Sequence, residues 1–170
     1  MAKTIVFYLN NRSIGKAIKE LEDYKGWLNA KAAELTSRLA DIGLQVASIK
    51  FANADYAGTN DVTCRVEKDG TKATIYADGA AVAFIEFGTG VSHPEHPSGM
   101  FKHGTYGQGK GKRKMWGYYG EPGTNGKFVR KGAKGDVFVT SGNPPAMAMY
   151  DAVNVMTAQV QQIAREVFRS

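Results

Sequence analysis

Apolar residues recur along residues 28–49 at alternating spacings of four and three: Leu28, Ala32, Leu35, Leu39, Ile42, Val46 and Ile49. That period predicts one apolar stripe along a helix of about six turns, with Lys31, Glu34, Arg38, Asp41 and Gln45 elsewhere on its surface. Gly43 costs this helix about 1 kcal/mol relative to alanine, and the helix is expected to survive it. Upstream, SIGKAIKELEDY predicts a first, shorter helix capped by Ser13, with Gly26 bending or breaking it from the next. The last element has the same period. Met149, Val153, Met156, Val160, Ile163 and Val167 form its stripe, Asn143 is the expected cap, and Pro144 suits the first helical position. Arg165 and Arg169 sit at its C-terminal end, where the helix dipole favours cations.

Between the helices the period changes to two. DVTCRVEK alternates Val62, Cys64 and Val66 with Thr63, Arg65 and Glu67. Asp69-Gly70 signals a type I′ turn, and TKATIYA returns with Ala73, Ile75 and Ala77 inward. Ile5–Leu9 reads as a further short strand of the same small sheet. The stretch AVAFIEFGTG has no single period. A short helix from Gly79 to Phe87, capped by Asp78 and closed by Gly88 in the left-handed conformation, competes with a third strand; its alanines favour the helix. Residues 88–135 read as a long, mostly irregular loop, and DVFVTSG at 136–142 as a strand returning to the body. A loop longer than about 15 residues is usually functional or disordered. The expected fold is a single α+β domain over residues 1–170. Its small antiparallel sheet packs against two long amphipathic helices, its body spans 1–87 and 136–170, and a long, basic, glycine-rich insertion spans 88–135.

Charge sharpens this division. The net charge is +6, yet residues 101–135 hold nine Lys and Arg against Glu121 alone, leaving −2 on the other 135 residues. Ten of the twenty glycines lie in the same segment. With 170 residues, 43% apolar and 22% charged, the composition suits one globular domain. No apolar run approaches the roughly 20 residues of a membrane span, and Ile5–Leu9 is too short for a signal-peptide core. Cys64 is alone, which fits maturation in a reducing cytoplasm.

Three constellations suggest chemistry. His93, His96 and His103 lie near Glu86 and Glu95, and imidazoles with a carboxylate can ligate zinc. A zinc-dependent hydrolase using His93 and His96 with Glu86 or Glu95 is therefore one alternative. Against it, the first two histidines each precede a proline, which disfavours the helix that compact zinc motifs use. Glu86, alone in an apolar run, is read as a structural carboxylate rather than a catalytic acid, since no second carboxylate or nucleophile accompanies it at a recognisable spacing. As a structural acid it would accept N–H bonds from the Gly88-Thr89-Gly90 turn or pair with a Lys or Arg of a neighbouring subunit. GQGKGKRK lacks the strand, the Lys-Ser/Thr pair and the helix of a phosphate-binding loop. Lys110, Lys112, Arg113, Lys114, Lys127, Arg130, Lys131 and Lys134, interleaved with aromatics, instead suit DNA or an acidic protein partner. A free-standing nucleic-acid-binding module is a second alternative.

AVAFIEFGTG, HPEHPSG, MWGYYGEPGTNGKFV and VTSGNPPAMAMYDAV occur in that order. Together they resemble a family of minor structural proteins of long-tailed phages and prophages, the tail-completion or neck proteins related to the gp-ten protein of phage HK ninety-seven. The likeness covers residues 60–170 in order and spacing; the N-terminal helices fit in kind. Members often carry Pro-x-Arg-Pro-Phe before the last helix, where this chain has Asn143-Pro144-Pro145-Ala146-Met147. The resemblance implies a non-enzymatic head–tail joining protein without cofactor, made in the bacterial host cytoplasm and placed at the virion neck. It would act as a homo-oligomeric ring between a head-completion or connector protein and a tail tube or terminator protein, with DNA in the lumen and no membrane. Glu86, Phe87, Gly88, Thr89, Trp116, Tyr118, Tyr119 and Phe128 would then serve the interfaces.

Overall fold

The computed structural model describes Tyr8, residues 11–90 and residues 115–169. The expected strand at Ile5–Leu9, the histidine cluster, Glu95 and the lysines and arginine at 110–114 lie outside these residues.

One helix, α1 (Asn11–Ala52), replaces the two expected before the hairpin. Gly26 does not interrupt it. A β-carbon there would meet nothing within 4 Å, no proline is nearby, and each flank is long enough to propagate through one weak residue. Ser13 is not the N-cap either. It lies inside the helix, and its hydroxyl accepts the backbone N–H of Tyr8 at 2.9 Å.

The hairpin follows as β1 (Thr63–Asp69) and β2 (Lys72–Asp78). Cys64 pairs with Ala77 and Val66 with Ile75, so the inward face is the expected one. The turn is one residue later than the Asp-Gly signal. Asp69 pairs with Lys72, and Gly70, at φ 54, is the first of the two loop residues; the left-handed residue comes first, as in a II′ turn. The hairpin lies on α1, where Lys68 reaches Ser37 Oγ at 2.9 Å and Asp41 at 2.6 Å, and the Thr36 hydroxyl donates to the Thr71 carbonyl at 3.2 Å.

Helix α2 (Val82–Phe87) leads to residue 90, and the described chain resumes at Met115. From there the insertion is not irregular. β3 (Trp116–Tyr119), β4 (Lys127–Gly132) and β5 (Gly135–Thr140) form a second antiparallel sheet in the order β3-β5-β4, with a bulge between Phe128 and Arg130. Glycine and charge hid two strands whose only regular apolar feature is a few aromatics. Phe138 organises this sheet, with the rings of Tyr118 and Phe128 each 5.9 Å from it. The sheet is tied to the body through loops: Thr124 donates its backbone N–H to the Tyr56 carbonyl at 2.9 Å, and its hydroxyl accepts that of Tyr56 at 2.8 Å.

Helix α3 (Ala148–Arg169) runs antiparallel to α1, with Lys50 paired to Asp151 at one end and Arg38 to Glu166 at 2.5 Å towards the other. The expected stripes are not the deepest lines. In α1 the buried line is Ala40, Gly43, Ala47 and Phe51, with Ala17 buried separately towards the N-terminal end, while Leu28 and Ile49 are exposed. In α3 it is Ala148 and Ala152 followed by Ile163 and Val167, the last two from the expected stripe, while Val153 and Val160 are exposed. The cause is that α1 is packed on two sides, by α3 and by the hairpin, so its deepest line runs between them. Small residues occupy that line because they permit close approach. A β-carbon at Gly43 would come 2.6 Å from Met156 Sδ and 2.7 Å from Ile75 Cδ1, so this glycine serves packing. The core closes where three helices meet, around Ala47, Phe51, Ala81, Ile85, Ala148 and Ala152. The α+β class is as expected. Among the described residues no helix is long and apolar enough to cross a membrane.

Candidate functional site

The signature stretches EFGTG and SGNPPAM meet as one unit. Glu86 is buried at 6% exposure. Its Oε2 accepts the backbone N–H of Met149 at 3.0 Å and its Oε1 that of Tyr150 at 3.2 Å. The first turn of α3 has unsatisfied N–H groups and the positive end of the helix dipole, so a carboxylate fits there. The donors are not those of the Gly88-Thr89-Gly90 turn, the partner the sequence suggests; the Thr89 N–H goes to the Asn143 carbonyl instead. The exchange is reciprocal. The α2 carbonyls of Ile85 and Glu86 accept the N–H groups of Ala146 at 2.9 Å and Met147 at 3.1 Å. Each helix thus satisfies the other's free end.

Met147 holds φ 48, unusual for a residue with a side chain, and is 2% exposed. Its carbonyl accepts the Asp151 N–H at 2.9 Å, so Met147, not Asn143, begins the helix. Pro144 accordingly lies ahead of α3 rather than at its first position. Asn143 instead ties the two stretches together. Its backbone exchanges hydrogen bonds with Thr89 (2.9 and 3.2 Å), its Oδ1 accepts the Thr89 hydroxyl at 2.5 Å, and its amide donates to the Phe84 carbonyl at 3.0 Å. Gly88 has φ 71 and ψ 167, which is not the left-handed helical cap expected but an extended region open only to glycine.

Asp78 does not cap α2. Asp61, from the loop before the hairpin, accepts the N–H groups of Ala80 at 2.8 Å and Ala81 at 2.9 Å. These bonds lower its pKa below the ordinary 3.8. A depressed folded value means the contribution is complete above the unfolded pKa and is lost as pH falls through the folded one. We therefore expect wild-type stability to drop on acidification below about pH 4, where carboxylates titrate. Asp61→Asn, which retains one acceptor for two donors, is expected to flatten that part of the profile. Melting temperatures between about pH 2 and 6 check this; parallel curves for the two proteins would refute it.

A cleft of about 330 Å³ opens between the body and the second sheet, lined by Tyr56, Phe84, Thr89, Trp116, Tyr118 and Asn143, among others. Burial pushes the Tyr56 and Tyr118 phenols up, with Asp61 adding to the effect on Tyr56. The Tyr118 hydroxyl donates to the Pro122 carbonyl at 3.0 Å.

The expected interface residues therefore separate. Glu86 and Gly88 are buried within the chain and Thr89 is bonded to Asn143, so these three hold the fold together. Phe87, Trp116 and Tyr118 are half-buried; Tyr119 and Phe128 are exposed. Lys127, Arg130, Lys131 and Lys134 are exposed on and beside the β4–β5 hairpin. Asn143 and Asp61 were missed as structural acceptors. Both partner residues remote in sequence, so local pattern carries no signal for them. Among the described residues no group of three His, Cys, Asp or Glu could hold a metal.

What the fold and this junction define is an α+β domain whose best-built polar cluster is a helix-to-helix lock. Compared with family models, curated proteins and solved structures, the chain matches none.

Proposed function

We propose that the protein is a non-enzymatic head–tail joining component of a phage or prophage, assembling as a homo-oligomeric ring around the DNA path at the virion neck. The observation that carries this reading is the role of its signature residues. Two of the stretches through which the chain resembles the tail-completion proteins, AVAFIEFGTG and VTSGNPPAMAMYDAV, interlock as a scaffold, with Glu86 committed to capping α3. A carboxylate whose two oxygens already accept backbone donors is poorly placed as a general acid. The exposed basic hairpin, with Phe128 and Tyr119 beside Lys127, Arg130 and Lys131, supplies a surface for DNA or an acidic ring partner.

Native mass spectrometry at moderate ionic strength tests the reading, because it reports subunit number and bound metal together. A metal-free ring, or a metal-free monomer forming rings as concentration rises, is the expected result. One zinc per chain surviving dialysis would overturn it in favour of a metal site at His93 and His96.

A further inference from the structure

Strand β4 is an open edge. The second sheet runs β3-β5-β4, so β4 bonds to β5 on one side, and among the described residues no backbone hydrogen bond reaches its outer side. Residues 127–131 are all exposed, Phe128 and Val129 at 56 and 54%. Residues 127–134 carry Lys127, Arg130, Lys131 and Lys134 and no acid. None of these four cations is in an ion pair among the described residues. The register places them on both faces of the sheet. Lys127 and Arg130 stand opposite Val139 and Val137 on one face; Phe128 and Lys131 stand opposite Phe138 and Asp136 on the other. The bulge takes up Val129 as the extra residue and keeps the alternation across it.

A free strand edge is a template for pairing, and like charges and bulges are the devices that protect it. β4 has both. They exclude another copy of the same edge, whose cations would face these, but not a strand of opposite charge. We propose that β4 takes up an extended acidic segment of a partner protein as a fourth strand of this sheet. The free N–H and C=O groups of the edge supply main-chain bonds, and the cations on both faces pair with acids that alternate along the segment. Phe128 supplies an apolar contact between them. DNA fits this edge less well. A duplex lying on one face meets the cations of that face alone, and it has no strand-like row of donors and acceptors to match the edge. That a partner exists rests on the joining reading; its acidic, extended form rests on β4.

Fluorescence anisotropy of the full chain with a labelled peptide, Glu-Glu-Val-Thr-Val-Glu-Glu, tests this at about 50 mM salt, where exposed charges are only partly screened. N-methylation of the central Val-Thr-Val removes the donors on both edges of the peptide and leaves its charge unchanged. It is expected to weaken binding at least about tenfold, because two or three main-chain bonds are lost. Arg130→Glu and Lys131→Glu, both exposed and on opposite faces, are each expected to weaken binding about fivefold or more. A parent peptide that does not bind, or a methylated one that binds equally well, would overturn the strand pairing. So would a loss confined to Arg130→Glu with tighter binding of a duplex of about 20 base pairs, which would give that face to DNA. Subunit number, read by native mass spectrometry, separates the two proposals. A ring that ignores the peptide sinks the pairing alone, and a chain that binds the peptide but never forms rings sinks the ring alone.

Discussion

Glu86→Ala is expected to lower the free energy of unfolding by about 3 kcal/mol, from two bonds to a charged acceptor worth about 1.5–3 kcal/mol each, less what water recovers. The loss has two parts. The N–H groups of Met149 and Tyr150 lose acceptors that sit in a junction closed to solvent on most sides. The first turn of α3 also loses the negative charge that its dipole favours. Glu86→Gln keeps the volume and one acceptor oxygen, and is expected to cost about half as much. Urea unfolding measures both changes as a shift in midpoint at constant slope. The rank order is diagnostic: a capping carboxylate predicts Ala worse than Gln, and both worse than wild type. Midpoints equal to wild type would remove Glu86 from its structural role and return it to consideration as a reactive group.

The second large effect is at the close backbone contact between Gly142 and Thr89. Gly142 has φ 102, and a β-carbon there would lie 2.0 Å from the Thr89 carbonyl oxygen. Neither obstacle can be relieved by a side-chain rotation, because the obstructing atom is backbone held by the Thr89–Asn143 bonds. Gly142→Ala is expected to cost about 3 kcal/mol or more, combining an unfavourable φ with overpacking. Gly26→Ala is the matched control. It lies in the exposed half of α1 with nothing within 4 Å of a new β-carbon, and is expected to gain up to about 1 kcal/mol from helix propensity. The two glycines thus predict opposite signs for one chemical change, and thermal denaturation of both variants reads them directly. Destabilisation by both would mean that residues 11–30 make contacts that their exposure does not reveal.

These predictions also bear on how separable the insertion is. Removing residues 100–134 would take away β3 and β4, both strands paired with β5. The second half of the insertion is therefore part of the folded structure.

Features that depend on neighbours a few residues apart were readable from the chain. The period of 3.6 in residues 28–49 and 149–167 specified helices, and the period of two in residues 62–77 specified the hairpin and its inward face, because both follow from backbone geometry. The segregation of basic residues in 101–135 was legible for the same reason, being composition alone. The remaining features follow from contacts between elements far apart in sequence. Which line of α1 is deepest depends on two elements packing from different sides, so the small residues Ala40, Gly43 and Ala47 prevailed over the larger stripe. Whether Gly26 ends a helix depends on what surrounds it, and nothing does. The acceptors for the ends of α2 and α3 come from Asp61 and Glu86, about 20 and 63 residues from the N–H groups they serve. A carboxylate's partner at that distance is set by how the chain is brought together, and no local pattern encodes it.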